Sequence, residues 1–144
     1  MSATYDTDFY AWANEQAALL RSGNLSAADI ENIAEEIESM GKSEKRELIS
    51  RLVVLLLHLL KWQYQPDHRG TSWEATIYTQ RKGLIRHLRD NPSLKAKLDE
   101  AIMDAFDDAR MGAWAETGLP KLTFPAACPW SFAQIMDEGF WPEC

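Results

Sequence analysis

Arg51, His58 and Lys61 interrupt a leucine-rich run, and their spacing puts them on one side of a helix. At 100° per residue, Glu47, Ser50, Arg51, His58, Lys61 and Gln65 fall within an arc of about 100°, while leucine, isoleucine and valine fill most of the rest. Arg81 sits on the apolar stripe of the following predicted helix, and Glu35 and Glu36 precede the run. An imidazole that titrates near neutrality beside carboxylates and guanidinium groups suits acid–base work on an anionic substrate. The same residues suit a buried ion-pair network that fixes helix register, with His58 as a satisfied core histidine. Nothing in the sequence positions a nucleophile, so whether the chain is an enzyme stays open, with His58, Glu35, Glu36, Arg51, Lys61 and Arg81 as the candidate residues.

Metal and cofactor chemistry have less to stand on. There is no HExxH, ExxH or paired-cysteine motif, and His58, His68 and His87 lie far apart in the chain. Glu36 with His58 is the composite pair left to consider, and the expectation is no metal and no cofactor. GxGxxG, P-loop and GxSxG motifs are missing too, which leaves nucleotide binding and serine hydrolysis without support. Lys82, Arg86 and Arg89 share the outward face of one predicted helix, a pattern that serves either phosphate contacts or solubility. In a chain of net charge -7, long-range repulsion opposes phosphate approach, so nucleic acid is not the expected partner. Trp62, Trp73, Tyr64 and Tyr78 flank a short turn, where core packing is the ordinary use of such rings.

The elements that must carry these side chains follow from hydrophobic periodicity. From Leu52 to Leu60 every residue except His58 is apolar, with neither Gly nor Pro, which predicts an enclosed helix surrounded by others. The uninterrupted stretch is too short for the roughly 20 apolar residues of a membrane span, and Arg51 and Lys61 would both lie in hydrocarbon. Before it, Asp8 to Ser22 and Ile30 to Met40 carry helical stripes, the second bounded by Gly41. Thr71 to about Asp90 forms the next helix, and Asn91-Pro92 signals the start of another whose face runs through Leu94, Leu98, Ala101, Ile102, Ala105, Ala109 and Gly112. After Gly118, four prolines forbid a long helix, yet Phe124, Trp130, Phe132, Phe140 and Trp141 are too apolar for a free tail. An ordered strap is expected there, with a short helix opened by the capping box Ser131-Phe-Ala-Gln134.

Composition agrees with a packed protein: 144 residues, 46% hydrophobic and six tryptophans, enough for one domain with a substantial core. The charge is segregated. Met1 to Gly41 carries eight acids and one base, Lys42 to Arg89 four acids and ten bases, and Asp90 to Cys144 ten acids and four bases. No export signal opens the sequence, so a cytoplasmic location with Cys128 and Cys144 as free thiols is expected.

Several segments in register carry a family resemblance: IAEEIESMGKSEKREL (Ile33 to Leu48), LLLHLLKWQYQP (Leu55 to Pro66), SWEATIYTQR (Ser72 to Arg81), NPSL (Asn91 to Leu94), ETGL (Glu116 to Leu119) and FPAACPW (Phe124 to Trp130). The chain resembles the bacterial family called domain of unknown function 29 over essentially its whole length. The resemblance implies a small all-helical bacterial protein and supplies no catalytic residue.

Together these readings predict an all-α protein, residues 1–144 as a single-domain bundle of about five helices with an ordered C-terminal strap. The expected function is that of a soluble, non-catalytic interaction or regulatory module with a protein partner or as a homo-oligomer, and no membrane association. A small enzyme built on the His58 cluster and a nucleic-acid binder are the alternatives.

Overall fold

The computed structural model describes residues 4–143. It is 75% helical and contains five α-helices and no strand among those residues, an all-α fold as the periodicity predicts. The helices are α1 (Phe9–Arg21), α2 (Ile30–Tyr64), α3 (Thr71–Asp90), α4 (Leu98–Thr117) and the short α5 (Phe132–Met136). The chain divides into two compact units, one ending at Ser43 and one beginning at Glu44.

The first unit is held by polar contacts and by a cluster of the Tyr5, Phe9 and Trp12 rings. Asp8 caps α1 by accepting from the Ala11 amide, and Gly23 leaves the helix with a left-handed φ of 75°, a conformation that suits glycine. Asp29 is the hub. Its carboxylate accepts from the Asn32 amide, from Asn32 Nδ2 at 2.8 Å and from Trp12 Nε1 at 3.1 Å, while its own amide donates to Gln16 Oε1 at 2.7 Å. These bonds, Asn32's first, hold the Asp29 carboxyl below the usual carboxylate range. Tyr5 Oη donates to Glu36 Oε1, and that bond pushes the phenol up to about 12.

In the second unit, Leu48, Leu52, Leu55, Leu56, Leu59 and Leu60 of α2 are all fully buried. Helix α3 returns antiparallel along α2, so that Glu44 meets His87, Arg51 meets Gly83, and Lys61 lies against Trp73. Helix α4 then runs parallel to α2 at a constant offset of 55 residues, visible in Lys45–Glu100, Leu57–Gly112 and Lys61–Glu116. Its stripe of Ala101, Ala105, Ala109 and Ala113 is buried, and small side chains at that spacing let two backbones approach closely.

Two boundaries differ from the sequence reading. Helix α2 continues through Gly41, because one exposed glycine costs a helix only about 1 kcal/mol and good helix formers follow it. Asn91-Pro92 opens a 3-10 turn over Pro92–Lys97, and the α-helix begins at Leu98.

The strap is ordered and packed, as expected. Ile135 and Phe124 are buried, Trp141 lies 4.5 Å from Trp62 between ring centroids, and Ser131 and Gln134 form the reciprocal capping box. Arg69 donates to the Trp62 carbonyl at 2.7 Å and pairs with Glu143, tying the strap's end to the α2–α3 turn. No helix among the described residues is long and apolar enough to cross a membrane.

Candidate functional site

The polar residues of the second unit fall into three groups, each set by what lies opposite on the neighbouring helix. Arg81 belongs to the strap. Only 2% exposed, it donates from Nε to the Ile135 carbonyl at 2.7 Å and from Nη2 to the Phe140 carbonyl at 2.9 Å, under the face of Trp141. Burial holds its guanidinium below its ordinary value, with Asp137 and Glu138 opposing, yet a group that titrates so high keeps its charge. Two carbonyls satisfied by one buried cation make it a clamp.

His58 and Lys61 form the second group, at the end of α2 facing α4. His58 Nδ1 lies 2.7 Å from the Val54 carbonyl of its own helix. That contact assigns the ring proton to Nδ1, since a carbonyl only accepts. Burial pushes the imidazole down, helped by the Lys61 charge and opposed by the Val54 carbonyl and Glu116, so the neutral ring is favoured. Lys61 is buried, ion-paired with Glu116 at 3.0 Å and set over the Trp73 ring. Glu35 and Glu36 belong to the first unit, where Glu36 receives Tyr5.

The third group lines an open groove of about 560 Å³ between α2 and α3, bordered by Glu47, Arg51, Tyr78, Lys82, Arg86, His87 and Asp90. Arg51 pairs with Glu47 at 3.1 Å and reaches Gln80 at 3.4 Å. It lies across Gly83, where a Cβ would collide with the guanidinium, so the glycine makes room for it. Lys82 sits over Tyr78, and Arg86 has no carboxylate within ion-pair distance among the described residues. Arg89 pairs with Asp90 at 3.5 Å. The structure thus brings one candidate of the polar seam, Arg51, together with two of the three bases of the outward helix face, Lys82 and Arg86.

Beneath the groove wall lies a contact the sequence reading missed. His87 is 6% exposed; its Nε2 is 2.8 Å from the Glu44 backbone carbonyl, and its Nδ1 is 3.1 Å from Glu47 Oε2. One donor atom each from Glu44, Glu47 and His87 lies within 4.8 Å of the others. A usable signal was present: Glu44 and Glu47 are one helical turn apart, and the short 65–70 connection forces α3 back along α2, which carries position 87 to their level.

On the first unit the notable surface is apolar. Ile30, Ile37 and Met40 are 53%, 59% and 60% exposed and fall within an arc of about 80° on α2. Within this unit Trp12 and Gln16 of α1 bond to Asp29, and Tyr5, ahead of α1, bonds to Glu36. The stripe therefore exists as the sequence reads it, and solvent meets it. On α1 and the loop after it, Tyr10, Leu20 and Leu25 are exposed as well.

Cys128 is a free thiol, half-buried and pushed up by that burial, which makes it a poor nucleophile; Cys144 lies outside the described residues. No curated protein and no solved structure matches the chain. The model of one family, Domain of unknown function DUF29, matches residues 4–141, and with nearly its whole length covered the chain belongs to that family.

Proposed function

We propose that the protein is a soluble, cytoplasmic, non-catalytic module that binds a protein partner through the first unit. The exposed Ile30, Ile37 and Met40 stripe carries this reading. A helix that is apolar along one face is stabilised when that face is covered, and a single-stripe amphipathic helix is what helix-in-groove recognition uses. Glu31, Glu35 and Glu38 flank the stripe, and the segment to Gly41 carries eight acids against one base. Charge complementarity therefore calls for a partner surface with an apolar centre and a basic rim. Self-association through the same face would set these acids against their own copies.

Calorimetric titration with two synthetic amphipathic helical peptides, one of leucine and lysine and one of leucine and glutamate, tests the reading. The lysine peptide is expected to bind, more weakly as salt is raised. Ile37→Ser with Met40→Ser should weaken it about tenfold or more while melting stays unchanged. Equal binding of both peptides, or of neither, overturns the basic-partner reading. A concentration-dependent dimer abolished by the same substitutions would instead assign the stripe to a second copy.

A second reading is favoured by Arg86, which has no carboxylate partner among the described residues, beside Lys82: the α2–α3 groove takes a phosphate-bearing nucleic acid. It predicts a salt-sensitive shift of DNA or RNA that disappears in Lys82→Ala/Arg86→Ala.

A further inference from the structure

We infer that Glu44, Glu47 and His87 form a binding site for a divalent first-row transition-metal ion, with Nδ1 of His87 as its nitrogen ligand. The inference starts from the buried ring. Nε2 faces a backbone carbonyl at 2.8 Å, which only accepts, so Nε2 carries the proton. In that tautomer Nδ1 presents a lone pair, and what it meets at 3.1 Å is Glu47 Oε2, another acceptor. A cation between these two acceptors, either a proton or a metal, would relieve their opposition.

The spacing suits a metal. Donors each about 2.0–2.2 Å from one ion lie about 3.0–3.5 Å apart at octahedral or tetrahedral angles; His87 Nδ1 and Glu47 Oε2 have that spacing, and a Glu44 donor atom lies within 4.8 Å of the other two. The Nε2–H bond to the Glu44 carbonyl is the outer contact that metal-ligating histidines ordinarily make, fixing both tautomer and ring orientation. Glu44 stands one turn before Glu47 on the same face; its half-exposed carboxylate lies on the other side of the ring, Oε2 3.7 Å from Nε2, and would swing toward Nδ1 to ligate an ion there. Two further contacts steady the carboxylates: Arg51 Nε on Glu47 at 3.1 Å and Asn91 Nδ2 on Glu44 at 3.5 Å. The Arg51 bond falls on the same Glu47 oxygen that faces Nδ1, and a carboxylate oxygen has lone pairs for both a donor and an ion. One imidazole and two carboxylates form a mixed N/O set that suits Zn²⁺, Mn²⁺, Fe²⁺ or Co²⁺ over soft-ligand metals. Glu47 and His87 also line the α2–α3 groove, so the ion's remaining positions would open toward Arg51, Lys82 and Arg86, where an anionic ligand fits. The site lies wholly within the second unit and is independent of the apolar stripe.

The test is titration of the full-length, tag-free protein with Co²⁺, followed by its visible absorption, and with Zn²⁺, followed by melting. One Co²⁺ per chain is expected, and Zn²⁺ should raise the melting temperature. Glu44→Gln and Glu47→Gln should each weaken Co²⁺ at least about tenfold while melting normally without metal. These two exposed positions keep the test valid if variants of the buried His87 fail to fold. Nitrogen-resolved NMR should show His87 Nδ1 without a proton in the metal-bound protein. No saturable binding at millimolar metal overturns the site, as does binding that both glutamine variants leave unchanged, or a proton on Nδ1 with metal present.

Discussion

Trp12 and Gln16 are the only side chains that the first unit buries among the described residues, whereas the second encloses six leucines of α2 together with Ile77, Leu84, Phe106, Phe124 and Ile135. The first relies on hydrogen bonds around Asp29 and on ring contacts among Tyr5, Phe9 and Trp12. The second relies on apolar area, at about 25 cal/mol per Å² removed from water. Both units draw on the same helix: the half of α2 up to Gly41 buries no side chain, and the half from Leu48 onward carries eight buried residues. Amphipathic pattern alone therefore does not make a core. A stripe becomes interior only when other elements close over it, and here α3, α4 and the strap supply that cover for one half.

The largest separation between the units should come from truncation. Leu56→Ala removes a fully buried side chain and should cost about 3 kcal/mol, while Ile37→Ala, more than half exposed, should stay within about 0.5 kcal/mol. Urea denaturation of the two variants decides it, and a comparable loss for Ile37→Ala would mean the stripe is covered in the isolated chain. Next in size is the clamp. Arg81→Met leaves two strap carbonyls without their charged donor, and with bonds to charged groups worth about 1.5–3 kcal/mol, a loss of about 2 kcal/mol is expected. Proteolysis should then cut between Pro129 and Phe140 first, since the strap loses its anchor while the α2–α4 packing remains.

What could be read in advance divides along similar lines. The enclosed helix was legible because a leucine run is a local signal, and the Ser131 capping box because it lies within four residues. Arg81 could be placed facing inward, but its partners stand 54 and 59 residues later, and no local pattern says which carbonyls will arrive there. The continuity of α2 was hidden because Gly41 is a stop signal only when the following residue turns away, and Lys42-Ser-Glu-Lys-Arg-Glu47 prefers to go on. Of the candidate residues, Arg51, His58, Lys61 and Arg81 proved to serve three different neighbours. Helical phase puts side chains on one face, and the opposing helices decide which of them meet.

The two units should also answer to acid differently. His58 is held below its ordinary 6.5 by burial, so between that value and its folded-state value the unfolded chain binds more protons than the native one. Stability then rises with pH through that window, falls as pH drops below about 6.5, and is flat above it. Asp29 of the first unit is held below 3.8 by its Asn32 bonds. Its contribution is complete above 3.8 and lost as pH falls through its folded-state value, well below the histidine window. In His58→Ala the slope just below pH 6.5 should flatten, with a cost of about 1 kcal/mol at higher pH from the lost contacts. An unchanged slope in urea midpoints would assign the titration to another group.

The smallest effect bears on where the units join. Gly41 lies in mid-helix, has no positive φ, and leaves open space around an added Cβ. Alanine there should stabilise the helix by about 0.5–1 kcal/mol, through helix propensity and a less free unfolded chain. The sign is diagnostic. A glycine that ended one helix in the left-handed conformation would be strained by alanine, and the substitution would then cost about 1 kcal/mol. Amide exchange over residues 38–46 reads the difference directly: slower exchange in Gly41→Ala means the helix is continuous through this position, and faster exchange means a helix ends there.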